Sequence, residues 1–144
     1  MSAFVRAVAV AAVVVVVVPV VVGACATLGS ARDDLQQATA LHHIDLRWGR
    51  LENAAARVAP AARAAFLAEW VKASGVVELQ DMDVSGIVID EDGNGADVVV
   101  TVTYVERDTM SVRSAVVTER WLRVDGAWLC TTPATLSTAM TPGA

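Results

Sequence analysis

Few side chains in this sequence have both the type and the spacing to do chemistry. His42 and Asp45 stand three residues apart, a separation that puts an imidazole and a carboxylate on one helical face as a general-base pair. His42 and His43 are adjacent, so on a helix they point about 100° apart and cannot chelate one metal ion. Asp81 and Asp83 share a strand face, and Asp90, Glu91, Asp92 and Asn94 crowd oxygen atoms around Gly93. That acidic run lacks the ligand alternation and the closing Glu of a calcium loop and reads as a solvated hairpin turn. Trp121, Arg123 and Trp128 fall on one face of a hairpin, where two indoles either plug a core or form a binding patch. Tyr104 is a further polar aromatic that could project into a pocket. Three or four converging metal ligands, a phosphate-binding glycine loop and a nucleophile elbow are all missing, so neither metal nor cofactor is expected.

The cysteines divide the chain. Met1 to Arg6 holds one Arg, and Ala7 to Val22 is almost wholly Ala and Val; Val22-Gly23-Ala24-Cys25 follows. This is the order of an export signal: a basic start, an apolar run, then small residues that let a peptidase approach an extended backbone. The segment resembles the bacterial lipobox, with Gly23 and Ala24 as its small residues and Val22 where Leu is commoner. The resemblance implies that Cys25 takes a diacylglycerol on its sulfur and becomes the first residue of the mature protein. Ala26 after the cysteine, where Asp would signal inner-membrane retention, implies the outer membrane in an organism that has one. Two other readings stand beside it: an uncleaved anchor over Ala7 to Leu28, interrupted by Pro19, and an ordinary cleaved signal with a coincidental cysteine. All three put the domain outside the cytoplasm. Cys130 is then unpaired and reads as a small buried hydrophobe in a strand.

Composition agrees with an exported globular domain. The 144 residues carry a formal charge of −5, and all 16 acidic residues and all but one of the Lys and Arg follow Cys25. A domain this acidic, without a basic patch, repels phosphate backbones and excludes nucleic acid as a partner. The expected organisation is a signal peptide over 1–24, a tether over 25–33, one domain over 34–132 and a mobile tail over 133–144.

The positioning elements follow from periodicity. Ser30 with Asp33 predicts a helix start, and Leu41, Ile44, Trp48, Leu51, Ala55 and Val58 recur at 3, 4, 3, 4, 3 as the stripe expected to meet a core. His43 and Leu46 fall off that stripe, Leu46 as its one apolar misfit. Pro60 opens a second helix in which Phe66 and Trp70 pair at i, i+4, and Gly75 is expected as its left-handed cap. Trp48 and Trp70 are both expected in the core. From Val76 the period becomes two, with a phase break between Leu79 and Met82 that predicts a bulge. Ala96, Val98, Val100, Val102 and Tyr104 line one face of the next strand, and Asp125-Gly126 predicts a tight hairpin that sets Trp121 opposite Cys130 and Arg123 opposite Trp128, with an Arg–Trp stack. The fold class is α+β: two N-terminal helices packed on a curved antiparallel sheet of about four strands.

That element order, with Leu46-Arg47-Trp48-Gly49-Arg50-Leu51 running through Ala59-Pro60 to Arg63 and Phe66, and the hairpin Arg120-Trp121 to Asp125-Gly126-Ala127-Trp128, resembles the nuclear-transport-factor-2-like fold, also called cystatin-like. Enzymes of that fold, isomerases and dehydratases among them, hold a carboxylate or histidine base in a cone between helix and sheet, which singles out His42, Asp45 and Tyr104 as the candidates for such a role. The leading expectation is a non-enzymatic, lipid-anchored envelope domain whose helix-covered sheet presents a protein or small-ligand surface; the alternative is a small-molecule carrier or small enzyme using the cone, and pairing as a homodimer through the open sheet face is a third.

Overall fold

The computed structural model describes residues 24–135. Seven elements follow one another: α1 (Ala24–Arg47), α2 (Leu51–Ala55), α3 (Pro60–Ser74), β1 (Val77–Ile89), β2 (Gly95–Glu106), β3 (Ser111–Val124) and β4 (Ala127–Thr132). The strands form one antiparallel sheet in sequence order, a meander, with the helices across one face. Among the described residues no helix is long and apolar enough to cross a membrane.

The helical layer has three members where two were expected, because Gly49 takes a φ of 67° and ends α1 before Leu51. A left-handed residue cannot continue a right-handed helix, and glycine adopts it without a Cβ penalty. At its other end α1 begins at Ala24, upstream of the start expected at Ser30, so Asp33 and Asp34 lie within the helix. Asp34 serves the sheet instead, accepting from Arg123 Nη2 at 3.3 Å.

α1 also presents the opposite face from the one its apolar stripe suggested. Leu35, Thr39, His42 and Leu46 recur at 4, 3, 4 and are buried, whereas Leu41, Ile44 and Trp48 are 42%, 45% and 66% exposed. Leu46 is therefore core, and Trp48 is not. The reversal has a physical cause: His42 Nδ1 meets Ala54 O, and His43 and Asp45 beside it pair with Glu119 and Arg57, which offsets much of the cost of burying polar groups on this side.

Pro60 opens α3 as expected, and Phe66, Trp70 and Ala73 face inward from it. Gly75 keeps a right-handed φ of −75°, which corrects the expected left-handed cap. The chain instead tightens its last turn, with Gly75 N donating to Lys72 O and Val76 N to Ala73 O, and enters β1 directly.

β1 pairs with β2 through two register shifts, one between Leu79 and Asp81 where the phase break predicted it and one between Val84 and Gly86. These bulges fall on the open edge of the sheet, where a regular strand would invite pairing by another chain. The other edge is covered: Val58 bridges Cys130, Ala59 N donates to Cys130 O, and Cys130 N donates to Arg57 O, both at 2.8 Å. Asp125 and Gly126 have φ of 50° and 81°, the two positive values of a type I′ hairpin turn.

Alternation then sorts the sheet. Ala96, Val98, Val100, Val102 and Tyr104 of β2, Val117, Glu119 and Trp121 of β3, and Trp128 and Cys130 of β4 lie beneath the helices and are buried. The outer face carries exposed valines at 88, 112, 116 and 124.

Candidate functional site

α1 and β3 bring His42, His43, Glu119 and Trp121 together in the interior. Glu119 alternates with Val117 and Trp121, so it points under the helices and is fully enclosed. His43 Nε2 donates to Glu119 Oε2 at 3.0 Å, and Trp121 Nε1 donates to the same oxygen at 3.0 Å. Glu119 Oε1 accepts from Ala134 N at 3.3 Å. Burial is the largest influence on Glu119 and raises its pKa. The hydrogen bond from His43, the charges of both histidines and the Trp121 bond together outweigh it and hold the carboxyl below its ordinary range.

His42 is the second centre. Its Nδ1 lies 3.0 Å from Ala54 O, and a carbonyl only accepts, so Nδ1 carries the hydrogen. Nε2 is then the bare nitrogen, and it is buried with no partner. The ring packs 5.6 Å from those of His43, Phe66 and Trp121, edge-on to the last. Burial above all, with the neighbouring His43 and Arg57 charges, lowers its pKa to about 4 against the pull of Glu119, so it is neutral at physiological pH.

Asp45, expected as the partner of His42, turns the other way. It accepts from Arg50 Nε at 2.8 Å and Arg57 Nη1 at 2.9 Å, and so ties the end of α1 to the segment around α2. Spacing of i, i+3 allows a dyad, but two guanidiniums compete better for a carboxylate than a neutral imidazole does. Tyr104 is buried in the same sheet face as Glu119 but pairs with Leu79 and Arg113. It sits six residues along β2 from Val98, the neighbour of Glu119, about 20 Å at strand rise. The structure thus gathers His42 and leaves Asp45 and Tyr104 outside the cluster. His43, expected off the core face, and Glu119, not singled out at all, complete it. The signal for Glu119 was the alternation Val117, Glu119, Trp121, which puts it on the tryptophan face.

Trp121 and Trp128 lie beneath the helices, at 0% and 4% exposure, closed to an external ligand. They fit the core-plug alternative. Their register is the expected one, Trp121 opposite Cys130 and Arg123 opposite Trp128, but Arg123 reaches to Asp34 in place of a stack. Cys130 is free and fully buried, and burial pushes its thiol well above the ordinary range. Within the tail expected from Pro133, Ala134 is 4% exposed and donates its backbone N–H to Glu119. Val22, Gly23 and residues 136–144 lie outside the described residues; Ala24 and Cys25 open α1.

Chemically, an imidazole backed by a carboxylate and a bare buried nitrogen are parts of a general-base apparatus. Access is what this arrangement lacks. A cleft of about 300 Å³ between α1 and β1 is lined by Ala40, His43, Ile44, Arg47, Asp81 and Met82, with Arg47 and Asp81 3.4 Å apart across it. It reaches only the edge of His43, which is 4% exposed. Among the described residues no three His, Cys or carboxylate side chains converge to hold a metal ion. The acidic turn at Asp90 is engaged by Arg120, which pairs with both Asp90 and Asp97.

No family model and no curated protein matches the chain. Solved structures do. A protein of unknown function from Mycobacterium tuberculosis superposes with a TM-score of 0.62 at 13% identity, covering 83% of this chain and 81% of that one. An NTF-2-like protein of unknown function from Shewanella oneidensis MR-1 gives 0.57 at 16% identity, covering 69% and 93%. A candidate polyketide cyclase from Xanthomonas campestris pv. campestris gives 0.56 at 14%, covering 75% and 95%. Identities this low carry architecture and nothing of activity. On three helices, a four-stranded antiparallel meander and these superpositions, the domain has the NTF-2-like fold.

Proposed function

We propose that this is the globular part of a lipid-anchored cell-envelope protein, a binding module whose working surface is the outer face of its sheet. The observation that carries the reading is where the structure leaves its polar and apolar groups. The interior is filled, with Trp121, Phe66, Leu35 and His42 fully enclosed, and Glu119, the one carboxylate at 0% exposure, meets its hydrogen bonds from within. Val88, Val112 and Val116 meanwhile stand 65%, 67% and 68% exposed on one face. An exposed apolar patch of that kind marks an interaction surface, for a protein partner or a second copy. The lipobox-like run ending at Cys25 supports the anchor, and Ala26 supports outer-membrane sorting where there is an outer membrane.

The test is site-specific photocrosslinking of the anchored protein in its own envelope. A crosslinking residue at position 112 or 116 is expected to give discrete adducts, and one at Gln36 on α1 none. Equal labelling at all three positions, or none anywhere, would defeat the reading.

A second reading is favoured by one observation, the bare Nε2 of His42 beside the His43–Glu119 pair. It makes the domain a small-molecule carrier or a small enzyme of isomerase or dehydratase type. The candidate polyketide cyclase among the structural neighbours is compatible with it. Its test is a ligand screen read by chemical shifts of His42 and His43, which this reading requires to move together.

A further inference from the structure

The geometry points to α1 as a membrane-docking helix, with Leu41, Ile44 and Trp48 seated in the surface of a phospholipid bilayer. The inference rests on the anchor proposed above. Three observations carry it. The first is the exposed row itself: these three residues recur at 3 and 4, so they share one side of the helix, and the buried Leu35, Thr39, His42 and Leu46 hold the other. The second is where the proposed lipid joins the described chain. It would sit on Cys25, and α1 runs from Ala24 to Arg47, so in the processed protein the acylated residue belongs to the first turn of the helix itself. A helix pinned at one end to a bilayer has its remaining length, about 1.5 Å per residue, within reach of the same surface.

The third is the character of the row. Trp48 is flanked by Arg47 and Arg50, whose side chains are 52% and 49% exposed, and indole beside guanidinium is the pairing that settles at headgroup depth. The outer sheet face fits a bilayer less well. The helical layer lies on the other side of the sheet, so the outer face is turned away from the anchored end of α1.

The molecule supplies its own reporter. Trp70, Trp121 and Trp128 are buried, and Trp48 is 66% exposed, so quenching from the lipid phase reads Trp48. The full-length processed protein is reconstituted into vesicles of phosphatidylethanolamine and phosphatidylglycerol with brominated acyl chains, and flotation after an alkaline wash reports anchoring separately. The expected result is flotation together with loss of the emission component that Trp48→Phe removes, and recovery of that emission in Leu41→Ser/Ile44→Ser, which alters only exposed positions. Flotation with Trp48 emission intact overturns the docking and leaves the anchor standing. Failure to float overturns both. Shielding of Trp48 that depends on protein concentration and not on brominated lipid overturns the proposal in favour of a second copy.

Discussion

At the scale of the residue, the molecule turns on a carboxylate that has no contact with water. Glu119 accepts three hydrogen bonds, from His43, Trp121 and the backbone of Ala134, and so ties α1, its own strand and the end of the described chain to one point. Removing one partner of such a pair strands the other in a low-dielectric interior. Glu119→Ala is therefore expected to lower unfolding free energy by about 3 kcal/mol in a urea titration, with Glu119→Gln milder because the amide oxygen still accepts. His42 gives the pH dependence. Its pKa is about 4 folded against 6.5 unfolded, so between those values the unfolded chain binds a proton that the folded one does not. Stability is full above about pH 6.5 and falls as pH drops toward 4, by a total of about 3 kcal/mol. Below the ordinary Glu value of 4.5, protonation of Glu119 takes more, since its folded pKa is depressed. His42→Asn, whose amide can replace Nδ1–H toward Ala54 O, is expected to flatten the midpoint of thermal melting between pH 6.5 and 4 while leaving the steeper loss below it.

At the scale of the element, single backbone positions decide more than stretches do. Gly49 at φ 67° separates α1 from α2, and an added Cβ there meets no atom, so the cost of Gly49→Ala is conformational. A loss of about 1–2 kcal/mol is expected from thermal or urea unfolding, with the same magnitude at Gly126 in the β3–β4 turn. The elements read from the sequence are those governed by local rules: Pro60, the Asp125-Gly126 turn, the bulge after Leu79, and the β2 row from Ala96 to Tyr104. What local rules hid was the side of α1 that is buried. Leu41, Ile44 and Trp48 make a regular apolar stripe, but periodicity reveals that a helix has two faces without revealing which one is covered. His43 is buried because its partner is Glu119, 76 residues away in sequence, and Asp45 because Arg57 reaches it. Pairings at that distance leave no trace in helical spacing, so of the candidate site only His42 and Trp121 were legible.

At the scale of the whole molecule, the helical layer and the open sheet face lie on opposite sides. The proposed anchor is tested most directly at its sulfur. Cys25→Ser is expected to leave the precursor unacylated and uncleaved, read as an intact mass that retains residues 1–24. Wild type should instead show the chain from Cys25 plus its acyl groups. One consequence concerns distance. α1 begins at Ala24 and spans 24 residues, about 36 Å. α1 is packed on the core from Ala31 onward, so with the proposed lipid on Cys25 the domain would be joined to it by about two helical turns in place of a long leash. Its encounters would then be confined to a thin layer above the bilayer and its search would be two-dimensional, so whatever it meets would itself have to reside at, or be delivered to, that same surface.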